Sequence, residues 1–434
     1  MQNASFQGKK AVTKIAAILA AGLLLFTAAC SSDGGQIKGA PGGGGAAQYT
    51  EMRPGDPDPT DADLAVLDEL PGSVKEYYNG YWNSTRIGPN PYAEYEAPEG
   101  PWKVCYADSF QGNTWRIEGM EVAKLLVADL AAQGLAEPDM TVTNANNDAT
   151  LMANQVSSLV QQGCHLILAM QPPSIGVCQA FDKALAEGVL TVVMQSGTEC
   201  TSVIHSDFGA YAAAKVTADW LVEQVKASGS TGNVVMCNGI PGVATAEARQ
   251  LAARVAFEEA GIKVEEITGE WDSAVIKSQM VNYLSTHPGE IAGVWDGGVC
   301  NVPVNEALAQ GGRDSVPVTG FEGPCNAMAQ WAATGNESIS LSAGAGQGVV
   351  EAVKVGMRML SGQKPIVNTL LYPPQVIDKS NFEEFHDPAM TLNSVCSTQP
   401  LGGESVPDSY YDDLFEGGED APTLSPVLTT LPVE

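Results

Sequence analysis

The feature that most constrains the fold of this chain is a regular alternation of short apolar segments with amphipathic ones. From Trp102 onward, apolar runs at residues 103–108, 165–170 and 189–195 are separated by segments whose apolar residues recur with a helical period. Strands that are each followed by a helix are typical of an α/β fold, in which helices cover a parallel sheet. We therefore predict such a sheet in this region.

The same pattern begins again after a strand predicted at residues 203–207. A helix at 211–225 and strands at 232–238, 291–296 and 316–320 follow, so the chain repeats one architecture. We predict an α/β protein with two doubly wound parallel-sheet lobes. The first lobe comprises residues 102–207 and 344–363, and the second comprises residues 208–343 and 364–379.

The N-terminal segment resembles the signal peptide of a bacterial lipoprotein. Three lysines precede an uninterrupted stretch of apolar and small residues at 15–29. A helix of this length reaches only about 22 Å, whereas a bilayer core is about 30 Å thick. We therefore predict a cleaved signal peptide at residues 1–29. The small residues before Cys30 resemble a lipobox, so we expect Cys30 to be lipidated and to anchor the chain to the outer face of the cell membrane.

Three further segments lie outside the two lobes. Residues 30–60 are rich in Gly and Pro, and we expect them to form a flexible tether. Residues 61–101 form an N-terminal extension that we expect to drape over the main body. Residues 380–434 form a C-terminal extension with eleven acids and no Lys or Arg. Its aromatic residues favour partial docking over a disordered tail.

The charge of the chain restricts its partners. The net charge is -29 at pH 7, and the sequence pI is about 4.3. A chain this acidic repels phosphate backbones, so we expect no nucleic-acid partner. We interpret the acidity as a solvated surface outside the cytoplasm, and we expect a monomer.

The cysteines predict disulfides rather than a metal site. Nine cysteines less Cys30 leave eight, an even number that favours disulfides in an exported chain. There is no CxxC motif, and no His lies at zinc-ligand spacing beside a Cys pair. In each lobe two cysteines follow neighbouring strands. The pairs we predict are Cys178–Cys200 and Cys300–Cys325.

Polar and aromatic side chains follow the predicted strands, where ligands bind in open α/β sheets. Carboxylates and amides hydrogen-bond hydroxyl groups, and indole rings cover the C–H faces of a ligand. This combination predicts a cleft for a polyhydroxylated ligand. The candidate ligand-binding residues are Asp108, Asn113, Trp115, Gln171, Gln195, Asn238, Trp271, Asp296 and Glu322.

Motifs of the common enzyme classes are absent from the sequence. It contains no G-x-S-x-G, no P-loop, no H-E-x-x-H, and no strand followed by G-x-G-x-x-G. We therefore predict a binding protein that is not an enzyme and that uses neither a cofactor nor a metal.

From Trp102 to Pro374 the sequence resembles the sugar-type periplasmic binding proteins of ABC importers, the group that binds ribose and galactose. The resemblance implies a periplasmic binding protein type I fold, with two lobes joined by three crossovers that form a hinge. It also implies a sugar or polyol ligand and an ABC permease in the membrane as partner. The motifs that carry it are Asn238-Gly239-Ile240-Pro241-Gly242, Glu270-Trp271-Asp272, His287-Pro288, Val294-Trp295-Asp296 and Gly320-Phe321-Glu322-Gly323.

Within these motifs the resemblance implies roles for two residues. Glu322 replaces the Asp of the family's Gly-Phe-Asp-Gly motif, whose acid contacts sugar hydroxyls, and Trp271 matches an aromatic residue that stacks on the sugar ring. Two departures leave the ligand open. Gln195-Ser196 stands where ribose-type members carry Asp-Arg, and Arg249 and Arg254 do not keep the family's spacing, so neither arginine is predicted to contact the ligand.

Two alternative functions share this fold. A sensory lipoprotein would pass its ligand state to a receptor instead of a permease. A nucleoside-binding lipoprotein would stack aromatic residues on a base.

Overall fold

The computed structural model describes residues 61–75, 78, 87–173, 176–241, 243–336, 338–372, 374–398 and 406–424. The predicted signal peptide, the tether and Cys30 lie outside these residues. None of the described helices is both long enough and apolar enough to cross a membrane. Two short helices, α1 (Asp61–Asp68) and α2 (Gly72–Lys75), precede the first lobe.

The first lobe is built on a parallel sheet of six strands in the order β11-β5-β4-β3-β1-β2. Its strands are β1 (Val104–Asp108), β2 (Thr141–Asn144), β3 (Leu166–Met170), β4 (Leu190–Met194), β5 (Ile204–Asp207) and β11 (Thr369–Leu371). The helices that cover it are α3 (Thr114–Ala132), α4 (Ala149–Gln161), α5 (Cys178–Ala186) and α11 (Ala345–Leu360).

The apolar run of β3 explains why this sheet is covered on both faces. Leu168 and Met170 pack in one core cluster, whereas Ile167 and Ala169 pack in another. Because successive side chains of a strand point to opposite faces, a continuous apolar run requires helices on both sides of the sheet. All five residues of β3 are buried accordingly.

The second lobe repeats the arrangement around a parallel core in the order β7-β6-β8. Its strands are β6 (Asn233–Asn238), β7 (Val264–Thr268), β8 (Ile291–Asp296), β9 (Ser340–Ser342) and β12 (Gln375–Ile377), the last two being antiparallel. Its helices are α6 (Ala210–Ser228), α7 (Ala244–Glu259), α8 (Ser273–Thr286), α9 (Asn301–Gln310) and α10 (Cys325–Thr334). The strand predicted at 316–320 is reduced to an isolated bridge between Val294 and Val318.

The chain crosses between the lobes three times in this part of the fold, from β5 to α6, from β9 to α11, and from β11 to β12. This confirms the predicted fold class. One part of the predicted division is wrong, because residues 364–379 do not all belong to the second lobe. Thr369–Leu371 pairs in parallel with β5 and so extends the first sheet, with Thr369 opposite His205.

Among the described residues, three disulfides lie within a lobe and a fourth joins the second lobe to the C-terminal extension. They are Cys105–Cys164, Cys178–Cys200, Cys237–Cys300 and Cys325–Cys396. The predicted Cys178–Cys200 pair is confirmed. The predicted Cys300–Cys325 pair is wrong, because β6 lies beside β8 and so brings Cys237 next to the loop of Cys300.

The described parts of both extensions pack onto the lobes. Tyr78 and Tyr92 of the N-terminal extension are buried against the first lobe, where the Tyr92 hydroxyl contacts the backbone of Val189 and Ser202. In the C-terminal extension a short 3-10 helix (Phe382–Glu384), α12 (Asp408–Asp412) and β13 (Phe415–Glu416) form, and β13 pairs with β10 (Lys364–Pro365).

Candidate ligand-binding cleft

A cleft of about 630 Å³ lies between the two lobes, at the carboxyl ends of the strands. Loops of the first lobe that follow β1, β3 and β4 form one wall, and loops of the second lobe that follow β6, β7 and β8 form the other. The predicted site residues that line it are Asn113, Trp115, Gln171, Trp271 and Glu322.

Strained backbone is concentrated on this cleft. Gln171, Glu270, Trp271, Val299 and Glu322 all line the cleft with positive φ values between 41° and 71°. Residues other than Gly rarely adopt this region, and for the β-branched Val299 it is a genuine outlier. Strain of this kind persists where the surrounding structure fixes it, commonly at ligand sites.

In the first lobe, an arginine is held rigidly in the cleft wall. Arg116 donates from Nη1 to Asp108 Oδ1 at 2.7 Å and from Nη2 to Gln171 Oε1 at 2.6 Å. Burial raises the pKa of Asp108 to about 6, and Arg116 opposes that rise. Asp108 is fully buried and does not line the cleft, so its role in this structure is to fix Arg116. The sequence prediction missed Arg116, which lies in the first turn of α3 directly after Trp115.

In the second lobe, the side chain of Glu322 is paired with Arg249. Arg249 Nη2 donates to Glu322 Oε1 at 2.7 Å, and Nη1 donates to the carbonyl oxygen of Gly297 at 3.2 Å. The Arg249 guanidinium also lies 4.2 Å from the ring centroid of Phe321. Arg249 does not line the cleft. The Arg249 guanidinium instead orients the carboxylate of Glu322, which does line the cleft.

The two tryptophans lie on opposite walls of the cleft. Trp271 Nε1 donates to the carbonyl oxygen of Gly297 at 3.1 Å. A Cβ atom at Gly239 or at Gly298 would clash with the indole of Trp271, so these two glycines make room for it. Trp115 of the first lobe packs beside the Arg116 guanidinium, which lies 5.5 Å from the centroid of its ring.

Three other predicted ligand contacts do not line the cleft. Asp296 is fully buried, and its carboxylate accepts hydrogen bonds from the backbone N–H groups of Gly298, Cys300 and Asn301. Burial raises the pKa of Asp296 to about 7, and these donors oppose the rise. Asp296 thus shapes the loop after β8.

The side-chain amides of Gln195 and Asn238 also form hydrogen bonds within the protein. Gln195 Nε2 donates to the carbonyl oxygens of Ala343 and Gly344 and to the Tyr372 hydroxyl, all of which lie at the crossovers. Asn238 Nδ2 donates to Glu266 Oε2 at 2.7 Å. The amide of Gln195 therefore bonds to the hinge.

Within the described residues there is no group of three or more His, Cys, Asp or Glu side chains that could hold a metal ion. The charged side chains that line the cleft are Arg116, Glu270, Asp272 and Glu322. Arg116 and Glu322 are each paired with a buried partner behind the wall, Asp108 and Arg249 respectively. Asp272 caps α8 by accepting from the N–H groups of Ala274 and Val275. The cleft therefore offers hydrogen bonds and aromatic faces.

Comparison with solved structures supports the fold. The chain is similar to an ABC transporter solute binding protein from Thermobispora bispora DSM 43833, with 19% identity and a TM-score of 0.60 over 71% of this chain and 93% of that one. An ABC transporter periplasmic solute binding protein from Actinobacillus succinogenes 130z with bound D-allose has 20% identity and a TM-score of 0.57, covering 65% of this chain and 100% of that one.

A solute binding protein from Mycobacterium smegmatis with bound glycerol has 19% identity and a TM-score of 0.58, covering 67% of this chain and 99% of that one. Among curated protein sequences, none matches this chain. The model of the periplasmic binding protein domain matches residues 108–364, which is more than half of the chain. The chain therefore belongs to the periplasmic binding protein family.

Proposed function

We propose that this protein is the lipid-anchored solute-binding component of an ABC importer and that it captures a sugar or polyol between its lobes. The observation that carries the proposal is the arrangement of the cleft, in which Trp115 and Trp271 face it from opposite lobes and Glu322 is held in place by Arg249. Indole faces suit the C–H faces of a sugar, and a fixed carboxylate suits its hydroxyl groups.

The division of the site between the lobes supports capture by closure. The first lobe contributes Trp115, Asn113 and Gln171, whereas the second contributes Trp271 and Glu322. Neither wall alone provides both aromatic faces, so a ligand stabilises the closed state more than the open one. The bound D-allose and glycerol of the two similar proteins are in keeping with a polyhydroxylated ligand.

A thermal-shift screen of neutral sugars, polyols and nucleosides tests this function. We expect at least one sugar or polyol to raise the Tm by about 4 °C at roughly 100 times its Kd, because binding to the folded state alone stabilises it by about 2.7 kcal/mol. We expect no turnover of that ligand. A response to nucleosides alone would contradict the sugar assignment and support the nucleoside-binding alternative.

We also propose that lipidation of Cys30 anchors the protein beside its permease. Cys30→Ala is expected to leave uncleaved precursor or to release the protein from the membrane fraction, because the lipid attaches to the thiol. Fractionation and mass spectrometry of the N-terminus measure both, with Glu259→Ala, an exposed position at the end of α7, as a variant that leaves the signal segment and the disulfides intact. A processed, membrane-bound Cys30→Ala protein would contradict the anchor.

A further inference from the structure

The C-terminal extension first follows the second lobe. After β12, Phe385 packs with Ile377 and Met328 in a small buried cluster. The disulfide between Cys396 and Cys325 then ties the extension to the start of α10, and the N–H of Cys325 donates to the carbonyl oxygen of Cys396 at 2.8 Å. Cys396 is therefore fixed covalently to the second lobe.

The next residue reaches the first lobe. Ser397 donates to the Glu118 carboxylate of α3 from its backbone N–H at 3.0 Å and from its hydroxyl at 2.7 Å. Both partners are buried. Burial raises the pKa of Glu118 to about 7, and the two donors from Ser397 oppose that rise. Thr398 then returns to the second lobe, where its N–H donates to the carbonyl oxygen of Gly323 at 2.7 Å.

The lobes leave space for this segment. A Cβ atom at Gly344, in the crossover from β9 to α11, would overlap the Ser397 side chain. A Cβ atom at Gly323 would overlap the Thr398 hydroxyl, and Gly323 has a φ of +57°. Two glycines thus allow the segment to seat against both the hinge and the wall of the second lobe.

Beyond residue 405 the extension lies on the first lobe. Lys354 Nζ donates to the carbonyl oxygen of Val406 at 2.7 Å, and the Tyr411 hydroxyl donates to Glu351 at 2.8 Å. Arg358 pairs with Asp412 at 2.8 Å. The extension is therefore attached to the second lobe at one end and to the first at the other, in addition to the three crossovers.

The same segment lies beside the cleft. Residues 394–397 line a small cavity of about 60 Å³ together with Trp115 and Val299, both of which also line the main cleft. The C-terminal segment therefore lies next to Trp115, a residue of the cleft wall.

We propose that residues 394–398 form a latch, which lies beside the cleft and holds the lobes together through the contact between Ser397 and Glu118. Separation of the lobes requires the latch to leave either Glu118 or the second lobe. Because the disulfide fixes Cys396 to the second lobe, the hydrogen bonds to Glu118 are the ones that break. The latch rests on the proposed function only in that the lobes separate to admit a ligand.

Hydrogen exchange of the ligand-free full-length protein, followed by mass spectrometry, tests the latch. Glu118→Ala removes the acceptor on the first lobe, and Cys325→Ser with Cys396→Ser releases the anchor on the second. Each variant is expected to raise exchange by about 10-fold or more in peptides that contain the first turn of α3 and the start of α10, because these become exposed when the latch opens. Glu121→Gln is the matched control, since Glu121 lies on the same helix and pairs with Lys124 on the surface.

Each outcome decides the proposal. Faster exchange at both walls in the two latch variants, with Glu121→Gln like the wild type, supports it. Exchange unchanged at the walls, or faster in the C-terminal segment alone, would overturn it. If Glu118→Ala fails to fold, the double cysteine variant gives the same readout. No ligand is needed, so a failure to bind any sugar would leave this result standing.

Discussion

Replacing Glu322 by alanine is expected to weaken binding of the sugar or polyol by roughly 10- to 100-fold. A hydrogen bond to a charged group contributes about 1.5–3 kcal/mol, and each 1.4 kcal/mol changes Kd about tenfold. Glu322 is 6% exposed, lines the cleft and is oriented by Arg249, so the carboxylate binds a hydroxyl without first being ordered. Calorimetric titration of the ligand found in the screen measures the loss.

The matched control for this variant is Glu259→Ala, which removes an exposed carboxylate at the end of α7, outside the cleft lining. We expect its Kd to equal that of the wild type. Circular dichroism checks that both variants are folded. Equal affinities for Glu322→Ala and the wild type would mean that this carboxylate does not contact the ligand.

Replacing Arg249 by methionine is expected to lower the free energy of unfolding by about 3–5 kcal/mol. The side chains of Arg249 and Glu322 are 1% and 8% exposed, so removing the arginine leaves a carboxylate with little solvent and no opposite charge. The lost contact with Phe321 adds to the cost. Urea unfolding of the ligand-free protein, followed by circular dichroism, measures the change.

Arg254→Met provides the comparison, because Arg254 lies five residues further along α7 and pairs with Glu266 at the surface, where the two side chains are 46% and 38% exposed. Exposed pairs contribute about 0–1 kcal/mol, so this variant should be close to the wild type. Adding Glu322→Gln to Arg249→Met should recover part of the stability, since the unpaired charge is then gone. Similar losses for Arg249→Met and Arg254→Met would contradict the buried pair.

The sequence predicted the two lobes well because their strands carry strong local patterns. The run at residues 166–170 is apolar at every position, and this pattern indicates a strand buried on both faces. The sequence did not assign Thr369–Leu371 to the correct lobe, because a strand of three residues is too short to show a periodic pattern. Only its pairing with β5 assigns this strand to the first lobe.

The disulfides also show that local sequence patterns do not predict contacts between distant segments. Cys178 and Cys200 are close in the chain and flank one strand, so the sequence alone indicated the pair. Cys237 and Cys300 are brought together by the strand order β7-β6-β8, which is not the order along the chain. Cys325 pairs with Cys396 of an extension that has no regular pattern, so nothing local predicted that contact.

In the candidate site, strand-end position predicted which residues lie near the cleft, but it did not predict which side chains face it. Asp296 lies directly at a strand end, yet its carboxylate is used by three backbone N–H groups. Arg116 and Arg249 lie on helices, and only tertiary packing brings them to Gln171 and Glu322. Short polar residues after strands commonly cap turns, so their presence alone does not separate the two roles.

A crystal structure of the complex with the ligand found in the screen tests whether a sugar or polyol binds between the two lobes. We predict ligand density between Trp115 and Trp271, with a hydroxyl group within hydrogen-bond distance of the Glu322 carboxylate. Ligand density outside the cleft, or in contact with neither tryptophan, would contradict this account.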